Sequence, residues 1–315
     1  MINKKMFLNS SQRLSGIIDS IQASVIGNQK AKELGIYGEY QPKNYRGLID
    51  FSRSVQESLV HHRTKSMSLG TLTCHPNTSQ WGKKKNQAIK EARTNTSAYT
   101  HRAKESWYFI NNTGLSAAMA MINCQTLAKL FNRPVQFIHF QSSGLLGTLT
   151  QWMTQTRYTQ LDQTAHKITD NIAQTLETQD KVVFICHGTG ALLLKALLKQ
   201  LAEHTNAGKL LNKIEIYTIG CVLKKEITSD LPNQNILPYV EHFANTNDLF
   251  ALTGILANSQ NFQAPIYTLK KSGHLLNNNY LYDLVQGLYC QKESRLYQYL
   301  GQSTLTENLL WQQSA

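Results

Sequence analysis

Residues 181–195 read KVVFICHGTGALLLK, and this stretch decides the fold. Behind one lysine, Val182 to Cys186 is a continuous apolar run, the pattern of a strand buried on both faces of a parallel sheet. Ala191 to Glu203 repeats leucine at helical spacing and predicts a helix. Only His187, Gly188, Thr189 and Gly190 are left to reverse the chain between them. A strand, a sharp turn of small residues and a helix is an arrangement that presents one residue at the carboxyl edge of a sheet. Open α/β proteins collect their binding sites on that edge.

The same alternation recurs outward from this stretch. Trp107 to Ile110, Val135 to Phe140, Lys213 to Gly220, Tyr239 to Ala244 and Pro265 to Leu269 predict further strands. Ser116 to Phe131, Tyr158 to Leu176, a short piece at Asp248 to Leu256, and Tyr280 to Tyr289 predict helices. Such alternation implies an α/β domain with a mostly parallel sheet flanked by helices, the strand after Lys181 being central. Two strand ends then carry polar chemistry. Asn245-Thr246-Asn247-Asp248 follows the Tyr239 strand, and Ser272-Gly273-His274-Leu275 follows the Pro265 strand.

The order of turn, acid and histidine resembles the α/β-hydrolase superfamily, in particular its lipase- and esterase-like members. In that family a G-H-S-x-G serine motif precedes an acid after a later strand and a Gly-His near the end. The resemblance covers about Trp107 to Tyr289. It implies that Asp248 and His274 are the acid–histidine pair. It also implies that Tyr108 to Asn112 is the strand and oxyanion loop, with Asn111, Asn112 and Thr189 placed to bind an oxyanion or anion. Thr218-Ile219-Gly220 resembles the strand after the elbow helix.

The chain departs from the family at the decisive position. Matching His187 to the motif histidine puts Gly188 at the nucleophile and Cys186 at the first glycine. Glycine has no side chain with which to form an acyl intermediate. A one-residue shift would make Thr189 the nucleophile, with His187 and Ala191 where the family has glycines. The expectation is a hydrolase-fold protein without its serine, acting as a non-catalytic binder of an acyl or lipid-like ligand or of a protein partner. Two alternatives stay open. One is a divergent hydrolase working through Thr189 or a water activated by His274. The other is a binder of nucleic acid or anionic surfaces through the basic segment 53–104.

That segment stands out in the composition. The chain has 315 residues, 41% hydrophobic and 17% charged, enough apolar content for a sizeable core. Of the net charge of +12, seven units fall between Arg53 and Glu105, where Lys83, Lys84 and Lys85 are consecutive. Basic patches attract anionic partners, yet no nucleic-acid-binding module accompanies this one. Residues 1–105 are polar and repeatedly broken, and read as a basic, helical or loop-rich extension, with 106–315 as the hydrolase-like domain. The segment before Asp19 is acid-free. It lacks a secretory signal's apolar core and partly resembles a transit peptide, but reads best as a surface helix running to about Gln29.

Several classes are disfavoured. No run of 18 apolar residues predicts a membrane helix. The cysteines are Cys74, Cys124, Cys186, Cys221 and Cys290, odd in number and without a C-x-x-C, which speaks against a zinc ribbon or a disulfide framework. They are expected to be buried free thiols in a reducing space such as a bacterial cytoplasm, although export into a host cell is compatible with the sequence. His61, His62, His75 and His101 show no metal-ligand spacing, and neither metal nor cofactor is expected.

Overall fold

The structure, a computed structural model, describes residues 38–45, 48–59, 71–76, 104–111, 115–139, 158–233, 235–289 and 293–300. Asn112, the predicted helix before Gln29, Cys290 and Lys83 to Lys85 lie outside the described residues, as does most of the basic segment.

Seven strands form one sheet. They are β1 (Thr71–Cys74), β2 (Glu105–Ile110), β3 (Val135–Ile138), β4 (Lys181–His187), β5 (Ile214–Ile219), β6 (Tyr239–Asn247) and β7 (Ile266–Ser272). Their spatial order is β1-β3-β2-β4-β5-β6-β7, so β4 is the middle strand. All neighbours run parallel except β1, which pairs antiparallel with β3. The helices are α1 (Leu48–Leu59), α2 (Ala117–Leu130), α3 (Tyr158–Thr178), α4 (Gly190–Leu201), α5 (Ala207–Leu211), α6 (Leu249–Thr253), α7 (Tyr282–Val285) and α8 (Arg295–Leu300). A π-helix, Leu276–Leu281, runs directly into α7. This is the expected α/β fold with a mostly parallel sheet flanked by helices, with the turn after the central strand and the acid and histidine after β6 and β7.

The central strand shows why. Successive side chains of a strand point to opposite faces. Val183 and Ile185 therefore join one core with α2, the π-helix and α8, while Val182, Phe184 and Cys186 join the other with α3 and α4. A strand buried on both faces is mostly apolar, and from Val182 onward β4 is buried throughout, apolar as far as Cys186 and ending in the buried His187. Burying one Val, Phe or Ile side chain contributes about 1.5–3 kcal/mol, which makes this strand a large share of both cores.

Parts of the stretch set apart as an N-terminal extension pack on this domain. β1 adds to the sheet edge, and Tyr40 and Cys74 belong to the α2-side core. The cysteines at 74, 124, 186 and 221 are free and buried. Burial, and the Cys74 thiol beside it, push the Cys124 thiol well above its usual value. No helix among the described residues is long and apolar enough to cross a membrane.

The two ends of the sheet are used differently. At the amino ends, ion pairs and hydroxyls fasten α8. Lys181 Nζ meets Glu215 Oε1 at 2.9 Å, Tyr299 Oη donates to Glu215 Oε2 at 2.7 Å, and Ser294 Oγ donates to Glu241 Oε2 at 2.6 Å. The carboxyl ends carry the candidate site.

Midway along β6, His242 is wholly buried, with Nδ1 2.7 Å from Thr218 Oγ1 and Nε2 3.1 Å from Glu226 Oε1. Burial pulls the imidazole down, but the Cys221 sulfur and the Glu226 carboxylate more than offset this and raise it from 6.5 to about 9. A histidine raised on folding contributes stability that is complete below its unfolded value and lost as pH rises through the folded value. Urea midpoints should therefore fall between about pH 7 and pH 10 by the equivalent of roughly 1–3 kcal/mol. Glu226→Gln should remove that alkaline slope. An unchanged slope in the variant would show that other groups cause it.

Candidate functional site

The turn after β4 is built by glycines. Gly188 has φ +55°, the left-handed region that favours glycine, and its N–H donates to Ile219 O at 2.9 Å. Thr189 is 4% exposed, has right-handed helical φ and precedes α4 without capping it through its side chain. A Cβ on Gly190 would lie 2.5 Å from Ile110 O and 2.8 Å from Asn111 O. The start of α4 is thus pressed against the end of β2, and both contacts are backbone, which cannot step aside. The left-handed residue of the turn is Gly188 and not Thr189.

Asp248 caps α6. Its Oδ1 accepts from Phe250 N at 2.9 Å. Its Oδ2 accepts from His274 Nδ1 at 2.8 Å and from the Tyr280 hydroxyl. The carboxylate is wholly buried, so it can persist as an anion only with such donors. Because the carboxylate accepts, the His274 hydrogen sits on Nδ1, and Nε2 is the acceptor nitrogen of the ring. The Tyr280 oxygen in turn accepts from Asn245 N at 3.1 Å. Burial, followed by the Asp248 charge, raises the Tyr280 phenol well above its usual range and keeps it a donor.

His274 is held on both ring faces. Phe250 stacks at 3.9 Å and 18°, and His187 at 4.5 Å and 22°. His187 Nε2 lies 2.7 Å from the His274 carbonyl oxygen. A carbonyl only accepts, so this nitrogen carries the hydrogen. Burial first, and then His274, push His187 well below its usual value, so it is a neutral donor at pH 7. The residue preceding Gly188 therefore touches His274 directly, and the ends of β4, β6 and β7 converge. Asn245 fastens the loop from below, with Nδ2 donating to Asn279 O at 2.9 Å while Oδ1 accepts from Tyr289 Oη at 2.7 Å.

Gly220, at φ +57°, explains how three polar side chains fit in one place. A Cβ there would sit 2.6 Å from Asp248 Oδ2, 2.8 Å from Tyr280 Oη and 3.2 Å from His274 Nδ1. At the end of β2, Asn111 is buried and its Oδ1 lies 3.3 Å from Nδ1 of His139, which burial holds neutral by lowering it to about 4.

The structure thus brings Gly188, Thr189, Asp248 and His274 to adjoining strand ends, with Asn111 against the start of α4. Among the described residues, no group of three or more His, Cys, Asp or Glu could hold a metal. Sequence reasoning placed Asn245 and Gly220 at strand ends and Tyr280 at a helix start, but gave neither these three nor Phe250 a role in the site. Only Gly220, a glycine closing a strand, gave a usable signal.

No family model and no curated protein matches the chain. Solved structures do align with it at low identity. The Francisella virulence factor BioJ aligns over 69% of this chain and 79% of its own, with 11% identity and a TM-score of 0.36. A sugar hydrolase from Lactococcus lactis aligns over 66% and 90%, with 11% identity and a TM-score of 0.33. The apo form of Thermogutta terrifontis esterase 2 aligns over 80% and 92%, with 12% identity and a TM-score of 0.37. At such identities site side chains are free to differ, and chemistry has to be argued from the residues in place.

Proposed function

We propose that this hydrolase-fold chain is a binding protein that keeps the acid–histidine half of a hydrolytic site without the group that forms an acyl intermediate. One observation carries the reading: the left-handed residue of the turn, one position after a residue that touches His274, is Gly188. An oxygen nucleophile belongs at that position, on a backbone conformation that strains most residues by roughly 1–2 kcal/mol. Glycine relieves the strain and removes the nucleophile together. What is left suits non-covalent binding of an acyl or ester-like ligand. The start of α4 offers N–H groups to a carbonyl or carboxylate, and His274 stacks on His187, the last residue of β4 before that turn.

A second reading is favoured by how completely the pair is supported. Asp248 takes three donors, and Gly220 yields the space they need. Such a pair could draw a proton from a water attacking a bound ester, the proton passing to His274 Nε2. The basic segment 53–104 would then serve to hold the chain near an anionic partner.

Wild-type protein should show no stoichiometric fluorophosphonate labelling and no burst with a short-chain nitrophenyl ester. Labelling that Thr189→Ala abolishes would make the protein a threonine-type hydrolase and overturn the proposal. Slow, burst-free turnover lost in His274→Ala would favour the water reading.

A further inference from the structure

Glu39 lies in a stretch that no motif covers, yet it is wholly buried. The turn around it is closed locally: Asn44 Nδ2 donates to Gly38 O at 2.9 Å, and the Tyr45 hydroxyl donates to the Glu39 carbonyl. The next residue, Tyr40, shares a core with Leu275, Leu276, Tyr280 and Leu281. The Glu39 carboxylate points at the beginning of the π-helix. Oε1 accepts from Asn277 N at 2.8 Å, and the neighbouring N–H groups of Leu276 and Asn278 act on the carboxyl in the same sense, lowering it. These are the opening N–H groups of a helix, which have no partner within it.

That helix begins immediately after His274-Leu275 and carries what holds the pair in place. Tyr280 donates to Asp248, and Asn279 Oδ1 accepts from Leu275 N at 2.9 Å. Displacing its first turn displaces both. We infer that Glu39 is a positioning residue for the Asp248–His274 pair, its carboxylate fixing the amino end of the helix that aims Tyr280 and the His274 loop. The inference rests on reading that pair as the site, and not on whether the chain is inert.

Burial makes this a costly way to cap a helix. Oε2 is buried without a hydrogen-bond partner among the described residues, and desolvation raises the carboxyl to about 7 against the backbone N–H groups that lower it. Where a cap alone is needed, an exposed Ser, Thr or Asn at the preceding position supplies it. A wholly buried carboxylate reaching in from a segment far away in sequence is explained by a need for geometry.

The test uses the full chain, labelled with ¹⁵N, and observes the imidazole of His274 by NMR. In Glu39→Ala the Nδ1 proton of His274 should shift and exchange about tenfold faster, the effect of losing one net hydrogen bond. Glu39→Gln keeps one carbonyl acceptor for Asn277 N–H and should restore the signal. If Glu39→Ala does not fold, Glu39→Asp, shorter by one methylene, takes its place. A folded variant with a lower Tm and an unchanged His274 signal overturns the inference and leaves Glu39 a plain cap. In a Gly188→Ser background, Glu39→Ala should slow fluorophosphonate labelling by about tenfold. Should that background fail to label at all, the pair does not serve a nucleophile at Gly188, and the imidazole signal still decides this inference.

Discussion

Gly188→Ser should make the chain one that a fluorophosphonate labels stoichiometrically. The chemistry needs a serine oxygen, a base and donors for the developing oxyanion. The serine Oγ would bond to phosphorus as the P–F bond breaks and fluoride leaves, and its proton would pass to His274 Nε2. His274 is already in the required tautomer, since its Nδ1–H is given to Asp248 at 2.8 Å. It is also clamped between Phe250 and His187, so little reorganisation precedes the reaction. The N–H of the residue after the nucleophile, here Thr189, is the position that supplies an oxyanion donor in such turns.

The expected contrast is large because wild type has no oxygen at that position. The variant pays a penalty at φ +55°, where a serine is strained by roughly 1–2 kcal/mol, and a Tm a few degrees lower is expected. Asp248→Asn in the same background should cut the labelling rate by about 10⁴, as when the acid no longer sets the histidine tautomer. A folded Gly188→Ser variant that does not label would mean that His274 Nε2 or the oxyanion donors do not meet the new hydroxyl. The binding reading would then stand without a hydrolytic ancestry in working order.

What could be read from residues alone follows from how local each feature is. β4 and its turn were legible because burial on both faces writes an uninterrupted apolar run and because a tight turn needs small residues. Asp248 and His274 were legible as polar residues directly after such runs. β1 was not, since Thr71–Cys74 is four residues long in polar surroundings and its pairing with β3 is non-local. The helix predicted from Tyr280 begins instead at Leu276 as a π-helix, whose Asn277 N–H is held by Glu39, a residue far away in sequence. Tyr280 and Asn245 look like ordinary core and loop residues in sequence. Their roles exist only where β6 and the π-helix meet. The cysteines show the same limit: wide spacing along the chain said nothing of Cys74 and Cys124 becoming neighbours.

Gly220→Ala tests whether that meeting point is as tight as it looks, and the glycine in α5 supplies the control. At Gly220 the new methyl would lie 2.6 Å from Asp248 Oδ2 and 2.8 Å from Tyr280 Oη, on a backbone at φ +57°. Neither oxygen can retreat without breaking a bond to the carboxylate, and a buried carboxylate that loses a partner costs about 3–5 kcal/mol. With the backbone strain added, the loss should reach about 4 kcal/mol or more, a large share of the 5–15 kcal/mol by which domains are stable. At Gly208 a new Cβ would meet Ile236, with Cδ1, the end of that flexible side chain, at 2.9 Å and Cγ2 at 3.7 Å. There a helical Gly→Ala change gains up to about 1 kcal/mol of propensity, so the net effect should stay within about 1 kcal/mol of zero. Urea unfolding of the two variants beside wild type measures both. In the Gly188→Ser background, Gly220→Ala should also abolish labelling at temperatures where the chain is still folded, while Gly208→Ala leaves it intact. Equal, small losses from both changes would mean that the Asp248–His274–Tyr280 cluster can move aside at little cost, and a site that yields so readily could not hold His274 ready for proton transfer.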